Sequence, residues 1–432
     1  MYTQFVLLIC SIFYGLLFQL PEEAPTHPIT ARFSPHSLQP HISPFKSGLQ
    51  IKGSLLHESN SYPCSIYLNE KNSLSANQDY LLQGQLKKRG AYDFIFKPIS
   101  WEKIPSTYSL AELRYTTKEK WKQWLHTHLA SSKVAKFLSA MTTGDVEERL
   151  FRYEFGKLGL QHILAISGFH FAILIAFITF FLRLFLSHKW KIGILFCCIS
   201  TYFLFLGSSP AIERSYLTAL FYLLGQWLQR PTNGLNLLGC ALCAEVIYNP
   251  PVAIHLGFQF SFLSCFAILL LSPLIDQYLQ KFSPKRSMQE LKKLPLFHRY
   301  GAYISSLIRQ STSLTFAINI TLLPLTLFHF HQFPLLGLLY NLFFPFCTGG
   351  LLFLLFISSF CQILFPPLSV PFFWLTNYGT EFLLQLTEYP PLLLSYSIQT
   401  DLISPEWVIA YLLGLSLFTI TRSKRSYAEE VV

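Results

Sequence analysis

The spacing of apolar and polar positions changes period several times along this 432-residue chain. Residues 4–20 (QFVLLICSIFYGLLFQL) form an uncharged apolar run. No positive charge leads it and no small-x-small cleavage site precedes Pro21, so it reads as a retained first transmembrane helix rather than a signal peptide. Residues 21–44 are rich in Pro and His and read as extended chain. From 45 to 100, GLQIKGSLL, CSIYLNE, DYLLQGQLKKR and AYDFIFKPI alternate roughly, with turn residues between them. About four or five short strands in so short a stretch predict a small closed barrel or sandwich of the OB type.

Residues 110–141 switch to a helical period. Leu113, Trp121, Trp124, Leu125, His128, Leu129, Phe137, Leu138 and Met141 recur at spacings of three and four. Lys118, Lys120, Lys122, Lys133 and Lys136 fall opposite them. A basic amphipathic helix with two Trp suits a membrane surface, and equally suits packing against the barrel.

Beyond residue 158 the chain is mostly apolar. Candidate spans are 160–182, 192–206, 214–228, 235–248, 256–275, 312–330, 335–366, 368–388 and 406–421. A full span needs about 20 apolar residues, so the shorter ones predict tilted, broken or half-spanning helices. Residues 335–366 are too long for one straight span and hold Pro345, Gly349 and Gly350, which predicts a half-helix followed by a full one. The fold expected is a polytopic α-helical membrane protein of about 9–11 membrane segments, carrying a small external β domain near its N-terminus. The predicted divisions are 1–20 (first transmembrane helix), 21–109 (OB-like domain), 110–157 (amphipathic juxtamembrane helices), 158–421 (polytopic membrane domain) and 422–432 (tail).

Composition sharpens this picture. Hydrophobic residues make up 51% and charged residues 13% of the chain, against about 25% charged in an ordinary soluble protein. Residues 21–159 hold 18 Lys+Arg and 13 Asp+Glu, so 31 of the 56 charges lie there. The remainder lacks the polar residues to cover a soluble surface and is too apolar to be disordered. The net charge of +10 fits nucleic-acid affinity, but also the Lys/Arg bias of cytoplasmic loops. Basic clusters at Arg183/Lys189/Lys191, at Lys281 to Arg309, and at Arg422/Lys424/Arg425 fall on one side, with both termini cytoplasmic, if the N-terminus is cytoplasmic and 335–366 crosses once. That places 21–159 outside the cell inner membrane. Of nine Cys, Cys64 alone lies in the insert, and Cys240/Cys243 read as small packing residues of an apolar helix rather than a metal or redox pair.

Four polar constellations interrupt the apolar region. In GLQHILAISGFHFAILIAF (159–177), Ser167, Gly168 and His170 sit inside a helical run, with Ser167 and His170 three apart and so on one face. In GSSPAIERSY (207–216), Glu213 and Arg214 enter a span just after Pro210, and as adjacent helix residues they diverge by about 100° and are not expected to pair with each other. In NPPVAIHLGFQFSF (249–262), Pro250 and Pro251 break the chain, and Gly257, Gln259 and Ser261 return polar groups to it. Asn319/Pro324 and Asn341/Pro345 each set Asn shortly before Pro, where freed backbone groups need partners. Each site alone fits local satisfaction of a helix break. Together they favour a polar interior path.

These stretches, in this order, resemble the membrane domain of the ComEC competence proteins. The resemblance runs over roughly 110–390 and rests on AISGFH (165–170), Pro210 with Arg214, NPP with GFQFSF (249–262), and LTFAINITLLPLTLFHFHQFPLLGLLYNLFFP (314–345), preceded by MTTGD (141–145). It implies an inner-membrane channel that takes up single-stranded DNA during natural transformation. It also implies an external DNA receptor, a separate nuclease and a cytoplasmic helicase as partners, besides membrane lipid. Ser167, Gly168, His170, Arg214, Gln259, Ser261 and Asn341 are then the expected path lining. Pro210, Pro250, Pro251, Gly257, Pro324 and Pro345 are the expected structural breaks.

Many members of that family add a metallo-β-lactamase-like domain with an HxHxDH cluster. The His-x-His pairs here, His126/His128 and His329/His331, are not followed by Asp-His. The expectation is therefore no nuclease activity, no metal and no cofactor. The rival readings are a small-molecule secondary transporter with a midplane polar site and an intramembrane hydrolase, for which no acid/base set assembles.

Overall fold

The computed structural model describes residues 28–42, 47–57, 60–69, 79–88, 94–104, 110–146, 148–183, 187–390, 397–400 and 403–431. The apolar run 4–20 lies outside them.

Five strands close an N-terminal barrel: β1 (Ile29–Ile42), β2 (Ser47–His57), β3 (Asn60–Asn69), β4 (Asp79–Lys88) and β5 (Phe94–Ile104). Their order is β1-β2-β3-β5-β4, with β4 returning to β1 and β3 running parallel to β5. Alternation turns Tyr80, Leu82 and Leu86 of β4 inward, where they meet Phe33, Ile51, Phe94 and Phe96 in a buried core. The barrel thus takes its first strand from the Pro- and His-rich stretch that reads only as extended chain, and its last strand runs on to Ile104.

Helix α1 (Leu110–His128) leaves the barrel and packs on β1, with Ala111 joining the barrel core. Its Lys118 and Lys122 are not free on an outer face. Both are buried, and both reach Asp145 beyond the end of α2 (Ser132–Thr143), at 3.2 and 3.9 Å. Gly144, at φ 78°, turns the chain out of α2 and brings Asp145 back to α1. Lys136 pairs with Glu148 at 2.7 Å and Lys133 with Glu388. Ion pairing within the protein therefore accounts for most of the basic stripe. Trp121 donates to Thr142, and Trp124 packs against Phe373.

After α3 (Arg149–Lys157) and the short α4 (Gln161–Leu164) come α5 (Gly168–Leu182), α6 (His188–Leu206), α7 (Pro210–Trp227) and α8 (Gly234–Tyr248). A 3-10 turn (Pro250–Ile254) leads into α9 (Leu256–Leu279), which widens to a π turn over Ala267–Leu271. Then follow α10 (Met288–Lys293), α11 (Leu296–Phe330), α12 (Leu336–Tyr340), α13 (Phe344–Leu364), α14 (Pro366–Glu388) and α15 (Pro405–Val431). Strands β6 (Gln332–Pro334) and β7 (Ser397–Gln399) pair in the loops. Among the described residues, α6, α9, α11 and α13 are long and apolar enough to cross a membrane, and α5 and α8 are shorter apolar helices.

Three expected breaks differ. Helix α11 begins at Leu296, not near 312, and runs unbroken through Pro324 for 35 residues. Its Asn319 side chain donates to Thr315 one turn back, a local bond that leaves the helix intact. Pro324 has no N–H for the carbonyl of Ile320, and the Tyr411 hydroxyl of α15 takes that carbonyl instead. In 335–366 a short helix does precede a long one, but the break lies at 341–343. Pro345 sits in the first turn of α13, where a missing N–H costs nothing, and Gly349 and Gly350 are inside that helix. Gly349 is needed there, because a Cβ would lie 2.4 Å from the Phe169 ring of α5. The basic region 281–309 is largely helical too, and its Arg309 is buried against Asp276 at 2.8 Å.

Candidate functional site

The site forms where the N-terminus of α5 meets α7, which packs in turn on α8 and α9. The chain 165–167 is not helical, so Ser167 is the N-cap of α5 rather than a residue within a helix. Its hydroxyl accepts from the Phe169 N–H at 3.4 Å, and the His170 Nδ1 accepts from the Ser167 N–H at 3.2 Å. The i, i+3 spacing therefore makes a reciprocal capping box, not a shared helix face. Accepting at Nδ1 leaves the neutral ring's proton on Nε2. That nitrogen is buried and has no partner, and His170 is only 5% exposed. The Ser167 Oγ also lies 3.5 Å from the His170 Nδ1, the nitrogen that accepts from the Ser167 N–H in the cap.

Beside this cap lies Arg214. Pro210 starts α7 with its preset φ, which puts Arg214 in the second turn, facing α5 and α9. It is 7% exposed. Its Nε donates to Ser261 Oγ at 2.5 Å, Nη1 to Cys265 Sγ at 2.7 Å, and Nη2 to Ser215 Oγ at 3.1 Å. A Cβ on Gly168 would stand 3.5 Å from that Nη2, an ordinary contact distance, so the helix start lies against the guanidinium. Glu213, next to it, bonds Ser208 and makes no ion pair with Arg214.

The expected lining residues thus divide. Ser167, Gly168, His170, Arg214 and Ser261 converge. Gln259 is buried but donates to the Ala253 carbonyl at 3.1 Å, closing the 3-10 turn that Pro250 and Pro251 begin. Gly257 donates to the His255 Nδ1 at 3.1 Å, capping α9. Asn341 stands apart: its carbonyl accepts from Thr315 at 3.3 Å, and its buried Oδ1 has no partner. Cys265 bonds a guanidinium, a role that counting cysteines as apolar fillers overlooks. Glu245 of α8 went unread, although it is the lone charged residue type in GLNLLGCALCAEVIY, and that isolation is itself the signal. It is 2% exposed, and neither of its oxygens has a partner. Among the described residues, no three His, Cys, Asp or Glu side chains are grouped to hold a metal.

Outside the helical bundle, burial pulls the Lys118 ammonium below the usual lysine range, while the charge and hydrogen bond of Asp145 push it back up. Arg114, one turn earlier, donates to the Leu204 carbonyl at 2.7 Å and ties α1 to the end of α6.

A family model described as "Competence protein" matches residues 144–425. The chain belongs to the competence protein family. This family is implicated in DNA uptake for transformation, and its matched segment covers every helix from α3 to α14. The chain is similar to ComE operon protein 3 of Bacillus subtilis (strain 168), 27% identical over 258 residues. That alignment covers 56% of this chain and 30% of the relative, so the chain spans under a third of that protein's length. No solved structure matches it.

Proposed function

We propose that this competence-family protein is an inner-membrane channel through which single-stranded DNA enters during natural transformation. The observation that carries the reading is Arg214. It is a permanent cation held by neutral acceptors, beside the positive end of the α5 helix dipole. A polyanion crossing an apolar slab needs such a group, and helix N-termini receive phosphate. Phe169, 40% exposed at the same helix start, offers a face for base stacking.

The reading extends the four long apolar helices to about nine or more membrane segments, counting α5, α7, α8, α14 and α15 as tilted or half-spanning. Both termini are cytoplasmic and 21–159 external. The chain is not an enzyme, and a separate nuclease removes the second strand. An external DNA receptor and a cytoplasmic helicase work on either side.

The test is uptake of labelled DNA in a naturally transformable host. Deletion of the gene should abolish cytoplasmic entry, and Arg214→Ala should cut it at least about tenfold at normal membrane abundance, as expected for loss of a desolvated phosphate contact. Unchanged entry after deletion defeats the channel reading. Unchanged entry with Arg214→Ala defeats the role of that residue.

A further inference from the structure

Glu245 and Arg214 are buried opposite charges on adjacent helices that make no salt bridge with each other. Neither oxygen of Glu245 has a partner, and Arg214 gives its guanidinium to Ser261, Cys265 and Ser215, all neutral. Helix α8 packs chiefly on α7, on the 3-10 turn and on the first segment of α9. The titratable and charged groups on those elements are Glu213, Arg214, Tyr216 and Tyr222 on α7, His255 at the cap of α9, and Cys265. Of these, Glu213 and Arg214 act on Glu245 through their charges. His255 Nδ1 is taken by the Gly257 N–H.

A carboxylate with no donor in an apolar bundle is strongly disfavoured. Three things can relieve it: a cation, a donor or a proton. The adjacent cation is held elsewhere, and Arg214 has no proton to give up.

We propose that Glu245 is a proton-binding site within the helical bundle, and that its proton decides whether Arg214 is available to an anion. With the proton on, the carboxyl is neutral and the guanidinium stays on its three neutral acceptors, which an incoming phosphate oxygen can displace. With the proton released to water, the carboxylate draws Arg214 across into an ion pair, and the anion site closes. The glutamate of α8 is thus the counter-charge that replaces phosphate between binding events. The availability of Arg214 to DNA rests on the channel reading above; the proton site does not.

The test uses the full chain in lipid vesicles with dicyclohexylcarbodiimide. This apolar reagent adds the O–H of a protonated carboxylic acid across its N=C bond to give an O-acylisourea, whose acyl group then shifts from oxygen to nitrogen, leaving a stable N-acylurea found by peptide mass mapping. An adduct is expected on Glu245, about fivefold or more stronger near pH 6 than near pH 9, because the reagent needs the protonated form. It disappears in Glu245→Gln. Arg214→Gln removes the cation that favours the ionised form, so labelling near pH 9 should rise about fivefold. No adduct on Glu245, or equal labelling across that range, overturns the proton site. Labelling unchanged by Arg214→Gln overturns the coupling. Should Glu245→Gln fail to assemble, the wild-type pH profile decides. A labelled Glu245 together with normal DNA entry after deletion of the gene would leave the proton site standing while the channel reading falls.

Discussion

The hydroxyl of Tyr411 donates a 3.1 Å hydrogen bond to the carbonyl of Ile320, from a helix 91 residues away in sequence. Ile320 is the residue whose carbonyl Pro324 leaves without an N–H. Tyr411→Phe should therefore cost about 1 kcal/mol. The loss should shrink in a Pro324→Ala background, where the helix supplies its own donor. Thermal unfolding of the four proteins of that double-mutant cycle in detergent measures the coupling, and additive losses would refute the pairing.

Asp145 holds Lys118 and Lys122 in a buried site. Asp145→Asn should cost about 3–5 kcal/mol, because it leaves the buried Lys118 ammonium without its counter-charge, while Lys122 keeps Glu119 at 2.8 Å. The sign of the pH effect follows from Lys118. Its folded value lies below its unfolded one, chiefly through burial, so the unfolded chain binds more protons in that window. Stability from this group rises as pH climbs through its folded value toward the ordinary lysine range. Removing Asp145 lowers the folded value further and should steepen that rise. Unfolding followed by Trp fluorescence reads it through Trp121, which donates to Thr142 nearby.

Gly349 faces the Phe169 ring. Gly349→Ala should destabilise the α5–α13 contact by about 1–3 kcal/mol through overpacking, and Phe169→Leu should recover part of the loss. An unaltered melting temperature in the single variant would show that the two helices do not meet there.

Cys64 is buried inside the barrel, and burial pushes its thiol up to about 12. At pH 8 it should resist alkylation in the folded protein and react at the unfolding transition of the barrel. Peptide mapping after a timed maleimide pulse distinguishes it from the exposed Cys197, Cys240 and Cys347. Fast labelling of native Cys64 would contradict a closed barrel.

Lys87 lies on an exposed position of β4. If the barrel is external, Lys87→Cys should react with a membrane-impermeant maleimide in intact spheroplasts. Protection until lysis would invert the orientation.

Local patterns and long-range partners were unequally readable in the chain. The apolar runs announced α5 to α9 and α13 to α15, because the hydrophobic period is a property of each segment alone. Strand β1 was obscured by its Pro and His residues, since pairing with β2 and β4, rather than its own composition, makes it a strand. The burial of Lys118 could not be read from α1, because its partner lies 27 residues on. Pro324 looked like a break because Tyr411 is invisible from the local sequence. The spacing of Ser167 and His170 was correct, but its meaning depended on where the helix began. Glu245 was fully legible as a solitary acid in an apolar helix.

Helix α11 has a mechanical consequence. Its 35 residues extend about 52 Å at 1.5 Å per residue, whereas a hydrocarbon slab is about 30 Å thick. Side-chain bonds fasten it along its length, from Ser305 at Ser283 and Arg309 at Asp276 to Tyr411 at Ile320. Beyond Ser305, the Arg299 guanidinium clasps the carbonyls of Leu291 and Lys292 at the end of α10. The free end of α11 therefore carries α10 and its lysines as one stiff arm. A load on that tip is transmitted through Ser283 and Asp276 to α9, the helix whose other end bonds Arg214.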